Sequence, residues 1–147
     1  MTETREPTAN FTAEERAAMQ ERAAEVRTAR KRGKAAGDPE AELLAKIAEL
    51  PDEDRAMAER IHAIVREVAP GLTPRTWYGM PAYGATKAVL FFQPASKFKA
   101  RYATLGFNDD ARLDDGGMWP TAYALTRVGE AEEAAIRDLV RRAAGEG

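Results

Sequence analysis

The chain contains no cysteine. Disulfides, thiolate zinc sites, thiolate-held iron–sulfur clusters and cysteine nucleophiles are therefore excluded. Histidine and serine are almost as scarce, His62 and Ser96 being the only ones. A Ser–His–acid triad would need that pair, and Ser96 has no nucleophile-elbow context. No glycine-rich phosphate loop of either common type occurs. Long apolar runs are missing too: the longest, Ala88 to Phe92, is far too short to span a bilayer. Met1 to Asn10 is polar, with no apolar core of a signal peptide, so we expect a cytoplasmic chain with no membrane partner. Neither sign of charge dominates: 22 Lys and Arg face 24 Asp and Glu, a net charge of −2. Such a balance gives no field for nucleic acid, which is not expected as a partner.

What is present divides the chain in two. Of the 147 residues, the aromatic ones lie between Trp77 and Tyr123, with Phe11 alone outside. Aromatic and β-branched residues favour strands, and Ala, Glu, Arg and Lys favour helices. The outer segments should be helical and the middle should hold a sheet. Thr12 and Glu15 form a capping box for a first helix. Its apolar stripe, Met19, Ala23 and Val26, is thin, so it reads as a mobile or loosely docked arm ending near Gly33. Asp38 and Pro39 suit the cap and first position of a second helix carrying Leu43, Leu44, Ile47 and Leu50. Pro51 restarts the chain into a third, with Met57, Ile61, Ile64, Val65 and Val68 on one face, stopping at Pro70-Gly71.

Strand candidates follow at Thr76–Tyr78, Ala88–Gln93 and Thr121–Thr126. Another spans Phe98 to Thr104, where Phe98, Ala100, Tyr102 and Thr104 alternate with Lys97, Lys99, Arg101 and Ala103. Gly79-Met80-Pro81 reads as turn, and Asn108–Gly117 as a polar loop. Glu130–Ala144 closes the chain as a helix burying Ala134, Ile136, Leu139, Val140 and Ala143. Helices, then consecutive strands, then a helix predict an α+β fold: two layers, helices on a small antiparallel sheet. We divide it into a helical N-terminal extension, 1–37, and a domain, 38–147.

Four places can carry chemistry. Asp109, Asp110, Asp114 and Asp115 lie in one loop, and clustered carboxylates suit a hard divalent cation; turn hydrogen bonds explain them equally. Glu49, Asp52, Glu53, Asp54, Glu59 and Glu67 form an acidic helix surface. Lys97, Lys99 and Arg101 would line one side of a strand, to hold an anion or to guard an edge; Arg27 to Lys34 is a second basic tract. Trp77-Tyr78-Gly79-Met80-Pro81-Ala82-Tyr83 is the most distinctive stretch. Trp77, Tyr78, Met80 and Tyr83, with Trp119, could wall an apolar ligand pocket, or simply pack. His62 sits at the edge of its helix's apolar stripe, as a boundary histidine would. Nothing here specifies an enzyme.

The Trp77–Tyr83 stretch resembles the turn that follows an amphipathic helix in the YdhG-like domain-of-unknown-function family. Ile47 to Pro51, the helix through Ile61 and Val65, Val89–Phe92 and Tyr102–Phe107 are similar in pattern, and the resemblance covers roughly residues 40–143. It implies an α+β fold of frataxin-like kind. It also implies an intracellular iron chaperone, delivering ferrous iron to iron–sulfur or haem assembly through an unknown protein partner. The acidic loop would then be the metal surface. The alternative is a small-molecule or protein-interaction module built on the aromatic turn.

Overall fold

The computed structural model describes residues 12–32 and 38–145, the side chains of residues 28–32 excepted. Four helices and five strands follow one another as α1 (Ala13–Arg32), α2 (Pro39–Ala48), α3 (Asp52–Val68), β1 (Pro74–Trp77), β2 (Met80–Tyr83), β3 (Leu90–Gln93), β4 (Ala103–Phe107), β5 (Ala122–Leu125) and α4 (Glu130–Ala143). The strands form one antiparallel meander in sequence order. This is the expected α+β architecture with a helix ahead of the sheet.

The first two helices start where their side-chain caps place them. Thr12 and Glu15 exchange side chain–backbone hydrogen bonds of 3.0 Å each at the head of α1. Asp38 accepts from the Glu40 N–H at 3.1 Å, and Pro39 opens α2. Leu43 and Ile47 of α2, Ile61, Ile64 and Val65 of α3, and Ile136 and Val140 of α4 then bury one common face against Leu90, Phe92 and Leu105 of the sheet. Two expected core residues fall outside it: Leu44 is 46% exposed and Ala134 is exposed. In α2 the buried line runs through Leu43 and Ile47, four apart, with Leu44 beside it, and Ala134 lies two residues from Ile136 on the line of α4.

Two strand assignments change. Met80–Pro81 is not turn but the start of β2, buried along its whole length. The turn is only Tyr78 and Gly79, flanked by the Trp77–Met80 pair. Both turn residues have positive φ, 54° and 77°, as a tight two-residue hairpin demands. The expected strand from Phe98 to Thr104 is shortened. Pro94 starts a short 3-10 helix, Ala95–Phe98, and Lys99 takes a left-handed backbone, φ 56°. Only from Ala103 does the chain pair. Lys97, Lys99 and Arg101 therefore do not line a strand. The expected arm end at Gly33 and the basic side chains from Arg30 to Lys34 lie outside the described residues.

Behind the hairpin, Gly106 on β4 faces Phe91 on β3. A Cβ on Gly106 would meet the Phe91 ring at 2.3 Å. That ring also packs against Trp77, centroids 5.2 Å apart. Cross-strand aromatic cover of a glycine is a recognised way to fix strand register. Gly106→Ala should displace Phe91 and, through it, Trp77. A loss of about 1–3 kcal/mol in urea unfolding is expected from overpacking, with a change in tryptophan emission.

Candidate functional site

The first-helix arm is fastened by charge. Its docking stripe is Glu14, Ala18, Glu21 and Glu25, at steps of four, three and four residues. Ala18 is the buried apolar residue of that stripe, 5% exposed, whereas the expected stripe residues Met19 and Ala23 face solvent. Glu25 lies at the hairpin turn. Its two carboxylate oxygens accept from the Tyr78 N–H at 3.0 Å and the Gly79 N–H at 2.7 Å. One turn earlier, Glu21 accepts from Lys46 of α2 at 3.1 Å and from Lys97 of the 3-10 helix. Glu14 pairs with Lys99 at 2.9 Å.

The local sequence explains this geometry. A two-residue hairpin with positive φ at both positions turns successive N–H groups toward one side, and such a concavity suits an anion. Gly79 is required twice over: its φ is 77°, and a Cβ there would lie 2.3 Å from the Glu21 carboxylate. Tyr78 holds the left-handed conformation without being glycine. Its ring is packed edge-on against Trp77 at 5.0 Å, with the Arg22 guanidinium 5.7 Å above it. Burial works to raise the Glu21 pKa, but hydrogen bonds and charge from Lys97 and Lys46 outweigh it, and the group lies below the usual carboxylate range.

Between α1, α2 and β1 runs an open cleft of about 500 Å³. Arg22, Glu25, Lys46, Glu49, Arg75 and Thr76 are among the residues lining it. Arg75 hydrogen-bonds the carbonyls of Ala85 and Thr86 at 3.4 and 3.0 Å. Burial and the nearby Arg22 charge both lower its pKa, with Glu25 opposing them.

The five aromatic-site residues are not gathered in one cavity. Met80 and Tyr83 are buried within β2, Trp77 lines a shallow depression with Arg22, Arg75 and Asn108, and Trp119 packs at the margin of the core. Of the acidic loop, Asp109 and Asp110 lie 3.6 and 3.8 Å from Lys87 Nζ, while Asp114 and Asp115 are exposed. Among the described residues, no group of three or more His, Cys, Asp or Glu is placed to hold a metal ion. Asp54 departs from the expected surface set: it is 5% exposed. It accepts from the Ala95 and Ser96 N–H groups and, at 2.5 Å, from the Ser96 hydroxyl, capping the 3-10 helix that presents Lys97. Lys99 and Arg101 are exposed, the latter beside the Tyr102 ring.

His62 is the middle of a part-buried chain. Its Nδ1 lies 2.8 Å from the Tyr83 hydroxyl and its Nε2 2.9 Å from Glu40, which Arg66 also approaches at 3.3 Å. Acid, imidazole and hydroxyl thus stand in the order of a catalytic relay. The hydroxyl, however, belongs to a residue with 0% exposure, beyond any substrate's reach. Burial and the Glu40 charge push the Tyr83 pKa up rather than down, the opposite of an activated nucleophile. The protonated phenol can donate to Nδ1, leaving Nε2–H for Glu40, a tautomer assigned from the network. The chain ties α2, α3 and β2 together.

Comparison with protein-family models, with curated proteins and with solved structures finds no match. Function is therefore argued from the site's own chemistry.

Two outcomes follow. Tyr83→Phe leaves His62 Nδ1 without its partner and should cost about 1–2 kcal/mol in urea unfolding. The Glu21 pKa is lowered on folding, so its hold on the arm is complete above the unfolded carboxyl pKa and is lost as pH falls through the folded value. A single fluorophore on α1, attached through Met19→Cys in this cysteine-free chain, should lose anisotropy as pH drops below about 4.3, the ordinary glutamate value. Flat anisotropy through that range would contradict it.

Proposed function

We propose that this protein is a binding module, not an enzyme, and that its working surface is the β1–β2 hairpin with the cleft beside it. The observation that carries this reading is the double hydrogen bond from the Tyr78 and Gly79 N–H groups to one carboxylate at the rim of an open cleft. Paired backbone donors, flanking cations and adjoining aromatic surface are the parts of a recognition site. The titratable groups nearby are ion-paired or hydrogen-bonded, with Glu21 held by Lys46 and Lys97 and Asp54 spent on the head of the 3-10 helix.

The iron-chaperone reading implied by the YdhG-like resemblance asks for ferrous iron as cargo on oxygen ligands. The residues described do not fit a preformed site for it, because the acids of the Asp109–Asp115 loop do not converge. Exposed carboxylates alone discriminate little between hard cations. Anaerobic calorimetry should then find ferrous iron and magnesium taken up alike. Selective ferrous binding that is lost in the Asp109, Asp110, Asp114 and Asp115 to Asn variant would favour the chaperone instead.

The binding-module reading is tested with small carboxylic and aromatic-acid fragments titrated into the isotope-labelled full chain. Amide shifts should concentrate at Thr73–Gly79 and at Ala45–Lys46. Fragment shifts confined to other surfaces would rule the hairpin out.

A further inference from the structure

We infer that the hairpin cradle recognises a helix bearing two carboxylates four residues apart, and that Glu21 and Glu25 are its intramolecular occupants. This rests on the preceding reading of the hairpin as the working surface and names its ligand class.

The cradle is built without the arm. Lys46 comes from α2, Lys97 from the 3-10 helix, and the two N–H groups from the β1–β2 turn. Asp54, buried at 5% exposure, fixes the 3-10 helix from α3. Trp77, packed on Phe91, supports the turn. Each donor thus stands on an element of the core.

The occupant, by contrast, is lightly held. Ala18 supplies the buried apolar contact of the docking stripe, and the remaining hold is ion pairs, the two N–H bonds to Glu25 and the Arg22–Tyr78 contact. Pairs of this kind between partly solvated side chains contribute little each. An incoming helix with the same two acids would replace carboxylate by carboxylate. The four donors would stay satisfied, so exchange leaves no buried polar group stranded. The spacing selects a helix: on α1 it is residues one turn apart that reach the lysine pair and the turn N–H pair together. The arm competes from within the same chain, at an effective concentration in the millimolar range for a short connection. A partner helix must therefore displace it, and docking becomes conditional on release of the arm.

The test uses the full chain and a synthetic peptide of residues 12–32 carrying one nitroxide on an added terminal cysteine. Broadening of the Tyr78 and Gly79 amide signals reports docking. Glu21→Gln with Glu25→Gln in the chain weakens the internal occupant while keeping its shape. This variant should bind the peptide about tenfold or more tighter than the wild type, whose own arm competes. A peptide with Glu21 and Glu25 changed to glutamine should bind neither protein. Lys46→Ala with Lys97→Ala, added to the variant, should abolish the broadening. Wild-type chain at millimolar peptide gives a second reading should the variant fold poorly: the acidic peptide should broaden those amides and the glutamine peptide should not. Equal broadening by both peptides, or none by either, overturns the inference. If carboxylic fragments still bind at the hairpin while the acidic helix does not, the ligand class is wrong and the binding module stands. If neither binds there, both fall.

Discussion

The Glu25 carboxylate receives two backbone N–H groups from a turn that cannot point them elsewhere. A two-residue hairpin with positive φ at both positions aligns its amides, and a buried or half-buried amide must find an acceptor. Glu25 supplies one for both. That contact fixes where α1 crosses the sheet. It thereby sets Glu21 between Lys46 and Lys97 and shapes the cleft against Arg75 and Thr76. Without it the first helix would rest on the Glu14 and Glu21 ion pairs and on Ala18, the buried apolar contact of its docking stripe.

The remainder of the molecule holds that turn steady. Phe91 covers Gly106 and carries Trp77, which carries Tyr78. On the far side of the sheet, Leu43, Ile47, Ile61 and Val65 pack on Leu90, Phe92 and Leu105. The Glu40–His62–Tyr83 chain adds hydrogen bonds between the helices and β2, the strand that leaves the turn. Asp54 does the same for the 3-10 helix. Two polar groups that look chemically suggestive in the sequence, a lone histidine and a lone serine, are thus spent on architecture that presents a backbone surface.

Much of the fold was legible because its rules are local. Thr12 with Glu15 and Asp38 with Pro39 mark helix starts through hydrogen bonds within a few residues. The α3 stripe follows from helical spacing. Pro81 misled, since proline reads as turn, yet here it faces Thr76 beside the turn-flanking pair, and pairing with β3 begins only at Ala82. Lys97 to Arg101 misled because alternation alone cannot reveal a 3-10 helix and a left-handed Lys99. The site was harder. The expected stripe on α1 is apolar, whereas the docking face carries Glu14, Glu21 and Glu25, seven and four residues apart, with Ala18 the apolar residue among them. The same spacing test applied to acidic residues would have found Glu14, Glu21 and Glu25 on one face, with Ala18 between them. Their partners, a turn and three lysines from distant segments, are joined only by tertiary structure.

The anchoring of the arm at the hairpin is read most directly by amide hydrogen exchange at Tyr78 and Gly79. Both should be protected in the wild-type chain. Glu25→Ala should speed their exchange by about tenfold or more, equivalent to roughly 1.4 kcal/mol of lost protection, while the Phe91 and Leu105 amides of the sheet stay unchanged. Exchange at Tyr78 and Gly79 that is fast in both proteins, or equally slow in both, would contradict the account.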